Sequence, residues 1–165
     1  MKGRINVSPG YEVLEHTADV GLRGLGKTPE ELFTNMAFGM TRLILSPDSH
    51  VSHDEERHIE VDGYDLESLM VAWLSELLFQ IYSEGFLPGA VQSIRIKEHR
   101  STSADSDGYS ISAVISGEKS RPEVHQLVLE IKGVTYHLLK VECLDNLEKE
   151  PDHEAKWRAQ VILDI

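Results

Sequence analysis

The chain has too little cysteine to staple itself. Cys143 is the only one in 165 residues, so no disulfide can close within the chain, and a reducing compartment such as the cytoplasm fits best. Positive charge is scarce as well: 16 Lys and Arg face 28 Asp and Glu, for a formal net charge of -12. A protein that grips nucleic acid through its phosphates needs basic surface. RNA is therefore expected only indirectly, through a basic protein partner or a bound cation, and solubility alone is the other reading of such acidity. No apolar run approaches the roughly 18 residues of a membrane span, and none follows the basic opening Met1-Lys2-Gly3-Arg4 as a secretory signal requires. Neither membrane nor export is expected.

Several chemistries are missing too. Gly21-Leu22-Arg23-Gly24-Leu25-Gly26-Lys27-Thr28 ends like a phosphate-cradling loop but lacks the four-residue gap before its last glycine. There is no Gly-x-Ser-x-Gly elbow. His50, His53, Asp54 and His58 do not have structural zinc spacing, and no cysteine assists them. Asp105-Ser106-Asp107-Gly108 lacks the third acid and the closing glutamate of an EF-hand, and reads as a hairpin turn. No internal repeat is present.

What remains is the composition of one ordinary globular domain, 41% hydrophobic and 27% charged, spanning 1–165 with 1–10 as a flexible leader. Alternation predicts a strand over 11–15 that resumes at Val20 and Leu22. Thr28, Pro29 and Glu31 give a helix start with a capping box, and the apolar face Leu32, Phe33, Met36, Ala37, Met40, Leu43 and Ile44 carries the helix to about Leu45, before Pro47. A strand is expected at 58–62. A second helix is expected from an Asp65 cap to a Gly85 stop, burying Leu69, Met70, Trp73, Leu74, Leu77, Leu78 and Ile81. Residues 91–98 and 109–116 alternate as a hairpin, and further strands are expected at 126–132, 134–143 and 157–164. The charged 144–156 connection reads as a surface loop. Two helices followed mostly by strands predict an α+β fold, with the helices packed on antiparallel or mixed sheet.

Two acidic segments lie at opposite ends, Glu15-His16-Thr17-Ala18-Asp19 and Val161-Ile162-Leu163-Asp164-Ile165. Termini often lie close together, which would join Asp19, Asp164 and the oxygens of Ile165 in one cluster. Oxygen-only ligation suits a hard divalent cation: calcium, magnesium or manganese. Taken alone, Asp19 is also what a turn needs and Asp164 what an exposed tail carries. His16 sits three residues before Asp19, as a fellow ligand or as a brace for its loop. Lys132 and His137 interrupt an apolar strand pattern around Gly133, where a bulge would aim the lysine at an acid or a phosphate. A solvated strand lysine is the competing reading. Cys143, inside a strand pattern, reads as a packed thiol.

Four segments in order resemble the archease family: Glu15-His16-Thr17-Ala18-Asp19-Val20-Gly21, Thr28-Pro29-Glu30-Glu31-Leu32-Phe33, Ile131-Lys132-Gly133-Val134-Thr135-Tyr136-His137, and Trp157 with the closing Val161-Ile162-Leu163-Asp164-Ile165. The resemblance runs from about Tyr11 to Ile165. It implies the archease fold and an accessory role, without catalysis of its own, for an RtcB-type tRNA ligase. That ligase joins RNA ends with GTP and a divalent metal, and the accessory factor promotes its guanylylation and repeated turnover. The family's metal acids fall on Asp19 and Asp164, with Ile165 supplying main-chain or terminal oxygen, calcium as the leading metal, and the functional lysine on Lys132. Gly133 departs from the family's usual alanine. Two other classes stay open: a metal-dependent phosphoester hydrolase with His137 as general base, and a chaperone-like interaction module in which the metal is structural.

Overall fold

The computed structural model describes residues 4–8, 10–15, 18–100, 107–144 and 155–165. Among these the order is β1 (Arg4–Ser8), β2 (Tyr11–Glu15), β3 (Asp19–Gly26), α1 (Pro29–Ile44), β4 (Glu55–Gly63), α2 (Leu66–Tyr82), β5 (Phe86–His99), β6 (Gly108–Lys119), β7 (Gly133–Cys143) and β8 (Trp157–Asp164). The fold is α+β, and every strand pairing is antiparallel.

Local chemistry sets the helix limits. Thr28 caps α1 by accepting from the Glu31 N–H at 3.1 Å, with Pro29 in the first turn, where a missing N–H costs nothing. Glu31 reaches back to the Lys27 N–H at 3.3 Å, one residue short of the box expected on Thr28. Asp65 caps α2 through a closed box with Ser68. A cap of this kind contributes about 1 kcal/mol. The last turn of α2 is followed by Gly85 at φ 62°, the left-handed conformation that glycine takes without strain.

The strands form a five-stranded sheet in the order β1-β2-β3-β8-β7 and a three-stranded sheet in the order β4-β6-β5. Helix α1 packs on β3 and β5, and α2 on β4 and β7, so each helix touches both sheets. The core fills the space between: Phe33, Met36, Met40, Leu69, Met70, Trp73, Leu74, Phe86, Ile115, Val161 and Leu163 are nearly or fully buried. Trp73 Nε1 donates to the Phe33 carbonyl at 3.1 Å, tying the helices together. Where α1 crosses the first sheet, Gly39 lies against the Tyr11 ring and Leu22, and a Cβ there would meet them at 2.9 Å. That close approach requires glycine.

Three expectations need correction. Part of the predicted leader, Arg4–Ser8, is a strand paired with β2. The segment 126–132 is not a strand, because its main chain bonds to several elements: the Ser46 N–H reaches the Gln126 carbonyl at 2.8 Å, the Val128 N–H the Ile44 carbonyl at 2.8 Å, and the Ile131 N–H the Tyr82 hydroxyl at 3.0 Å. The bulge predicted at Gly133 lies further along, between Thr135 and Lys140. His16, most of the turn after β5 and most of the 144–156 connection lie outside the described residues.

Candidate metal centre

Strand β8 runs between β3 and β7, and its register decides the site. Asp19 pairs with Asp164 across β3 and β8, and Gly133 pairs with Asp164 across β7 and β8. Directly opposed residues of antiparallel strands project from the same face, with Cβ atoms about 5 Å apart. The two carboxylates therefore rise side by side. One step inward, Val20 pairs with Leu163, which is fully buried, so the neighbouring row points into the core and holds the strands in register. Gly133, third in the row, adds no side chain, and nothing lies within 4 Å of where its Cβ would be. Space stays open beside Asp164.

Lys132 is held at the same place twice. Its N–H donates to the Asp164 carbonyl at 2.8 Å, and its ammonium donates to the Ile165 carbonyl oxygen at 3.0 Å. Lys132 is exposed while Ile165 packs against the core, so the charge is solvent-facing on a fixed base. Asp19, Asp164, Ile165 and Lys132 are thus brought together. His137 is not: it lies in the bulge beyond Thr135, outside the row.

The donors suit the metal that the resemblance implies. They are oxygens alone, two carboxylates and the Ile165 carbonyl, which hard cations prefer. Among the described residues no group of three or more His, Cys, Asp and Glu side chains stands ready to hold a metal. The described residues would thus supply only these few oxygens to an ion, leaving its other positions to other donors.

The bulge of β7 was not legible as such in the sequence. Thr135 pairs with Ile162 and Lys140 with Gln160, so five steps on β7 face two on β8. Within it Leu138 has φ 54°, and Tyr136 and Leu138 are 59% and 60% exposed. The Tyr136 hydroxyl has its pKa raised, first by lost solvent, then by its neighbour Tyr64 and by Asp65. Among the described residues the Thr135 hydroxyl is buried without a partner. One signal was available: Leu138-Leu139, two adjacent apolar residues that break the alternation.

A second polar cluster braces the segment after β6. The Glu118 carboxylate accepts from the Ser52 N–H at 2.7 Å, Arg121 Nη2 at 2.8 Å and His125 Nε2 at 3.1 Å. His125 Nδ1 accepts from the Arg121 N–H at 2.9 Å, which leaves Nε2 as the donor to Glu118. These bonds, that from Ser52 foremost, bring the Glu118 pKa down from 4.5 to about 2. The cluster is structural and lies apart from the acidic row. His53, from the histidine-rich stretch, bonds Ser116 Oγ at 2.7 Å.

Comparison with known proteins shows the family. Residues 11–165 match the Archease protein family (MTH1598/TM1083). The protein archease of Methanosarcina mazei is 42% identical over 157 residues, covering 94% of this chain and 95% of its own. That of Thermococcus kodakarensis is 37% identical over 155 residues, covering 94% and 98%. The solution structure of Methanobacterium thermoautotrophicum protein 1598 superposes with a TM-score of 0.69 at 29% identity, over 96% of this chain and 100% of that one. No helix among the described residues is long and apolar enough to cross a membrane. With a family match over all but the first ten residues, the chain belongs to the archease family.

Proposed function

We propose that the chain is a non-catalytic accessory factor of an RtcB-type RNA ligase in tRNA splicing or RNA repair, working in the cytoplasm and promoting ligase guanylylation and turnover. The observation that carries this reading is the row Asp19, Asp164 and Gly133, with Lys132 fixed on Ile165 beside it. Asp19, Asp164 and the Ile165 oxygen would hold a divalent ion, calcium foremost. When bound, that ion supplies positive charge to phosphate oxygens at the ligase's active site. Asp19 and Asp164 orient the row, because each sits on a strand anchored by core residues. Lys132 adds a second cation at a fixed offset, able to pair with a phosphate as a point charge. The acidic surface suits a basic, phosphate-handling cleft and would speed encounter with it.

A hydrolase with His137 as general base draws less support, since His137 stands off the row. In a guanylylation assay of the cognate ligase under limiting metal, Asp19→Ala and Asp164→Ala should remove stimulation while the circular dichroism of the protein stays unchanged. Full stimulation by either folded variant would overturn the proposal. Phosphodiester hydrolysis by the wild-type protein alone would favour the enzyme reading.

A further inference from the structure

Tyr64, just before α2, and Tyr136 and Leu138, both in the bulge of β7, form an exposed group at 72%, 59% and 60% accessibility on two elements that pack together. Tyr136 lies close enough to Tyr64 and Asp65 to feel both. Leu138, at φ 54°, occupies the left-handed region that a leucine rarely adopts. Strain of this kind persists where the surroundings enforce it. Here the enforcement is visible on both sides. Before the bulge Thr135 is paired to Ile162, and after it the Val141 N–H is held by Glu67 Oε1 at 3.2 Å.

The strained leucine gains little from packing within the chain, because it is more than half exposed. Bulges also blunt an open sheet edge against unwanted pairing, and β7 is such an edge. That task is served by charged or small residues and does not call for a leucine and two tyrosines. Exposed tyrosine is instead enriched at binding hot spots, and Leu138, two residues from Tyr136, adds apolar area for a partner to cover.

We propose that this cluster is the surface by which the chain seats on its protein partner, an apolar pocket rimmed by basic residues; the partner's identity as the RNA ligase rests on the function proposed above. Two observations select this occupant. Asp65 borders the cluster and the chain carries a net charge of -12, so a basic rim is complementary. The bulge also lies on the strand that begins at Gly133, opposite Asp164. A partner seated on Tyr136 and Leu138 therefore has Lys132 and the acidic row presented to it at a fixed offset along β7.

The test uses the full chain and the cognate ligase, with affinity measured by calorimetry and folding by thermal denaturation. Leu138→Gly removes the anchor and also relieves the left-handed strain, so it should weaken ligase binding by roughly tenfold or more while the melting temperature holds or rises. Tyr136→Ser should weaken binding similarly. If Leu138→Gly binds within twofold of wild type, the docking surface is refuted and the proposed function stands. If the wild-type chain itself does not bind the ligase, both fall. A Tyr136→Ser variant that melts early leaves Leu138→Gly, which glycine geometry favours, to decide.

Discussion

Replacing Asp19 by asparagine should make the protein more stable without metal and less stable with it. Asp19 and Asp164 are directly opposed on one sheet face, which places their Cβ atoms about 5 Å apart and their charges about 6 Å apart. At the effective dielectric of about 20 typical of a protein surface the bare repulsion is about 3 kcal/mol, and physiological salt screens it to about 1 kcal/mol. The Lys132 ammonium on the Ile165 oxygen offsets part of the remainder, leaving about 0.5 kcal/mol. For a chain of this length 1 kcal/mol moves the melting temperature by about 2–4 °C, so Asp19→Asn in chelator should melt about 1–2 °C above wild type. Calcium at a hundred times its dissociation constant would stabilise wild type by about 2.7 kcal/mol, or about 5–10 °C, and the variant hardly at all. The order of the two melting curves should therefore reverse between chelator and calcium at pH 7. A variant that melts below wild type in chelator and keeps the full calcium shift would refute the paired-carboxylate argument.

Three further outcomes can be checked by denaturation. Gly133→Ala should stabilise by about 0.4–1 kcal/mol, because its Cβ meets nothing within 4 Å and the backbone there is not left-handed; a loss of stability would show that the open space is needed. Gly39→Val should destabilise by about 1–3 kcal/mol by forcing α1 away from Tyr11 and Leu22, and an unchanged urea midpoint would contradict that packing. Glu118 has its pKa lowered from 4.5 to about 2, so its contribution is complete above about pH 4.5 and disappears as the pH falls toward 2. Glu118→Gln should accordingly flatten the fall of stability with pH between those values, and parallel curves for the two proteins would exclude the role.

Much of the frame could be read from residue patterns because local chemistry sets it. Thr28 and Pro29 fixed the start of α1, Asp65 that of α2, and the alternation from Trp157 to Asp164 is the whole of β8. The pattern at 126–132 misled because alternation reports an extended chain with one buried side and says nothing of where the hydrogen bonds go; here they go to α1, Tyr82 and β8 in turn. The candidate site was legible as a pair of acids that end-to-end proximity could unite. Its geometry was not, since register depends on how Leu22 and Val161, or Val20 and Leu163, lock across the core. That His137 falls within the bulge was hidden for the same reason. From Thr135 to Lys140 the strand gains an odd number of residues, so Val134 and Val141, of opposite parity, both face inward, paired with Leu163 and Ala159.

The position of β8 bears on when the protein becomes competent. Arg23 of β3 donates to Gln160 at 2.9 Å across a gap of 137 residues in sequence, so β3 can pair early with β2 but not with β8 until Gln160 and its neighbours have been made. Contacts this distant form slowly and late. An interrupted or truncated product would complete the three-stranded sheet and both helices yet lack the strand that joins β3 to β7. The acidic row then acts as a seal on β8: only a chain synthesised through that strand can display it.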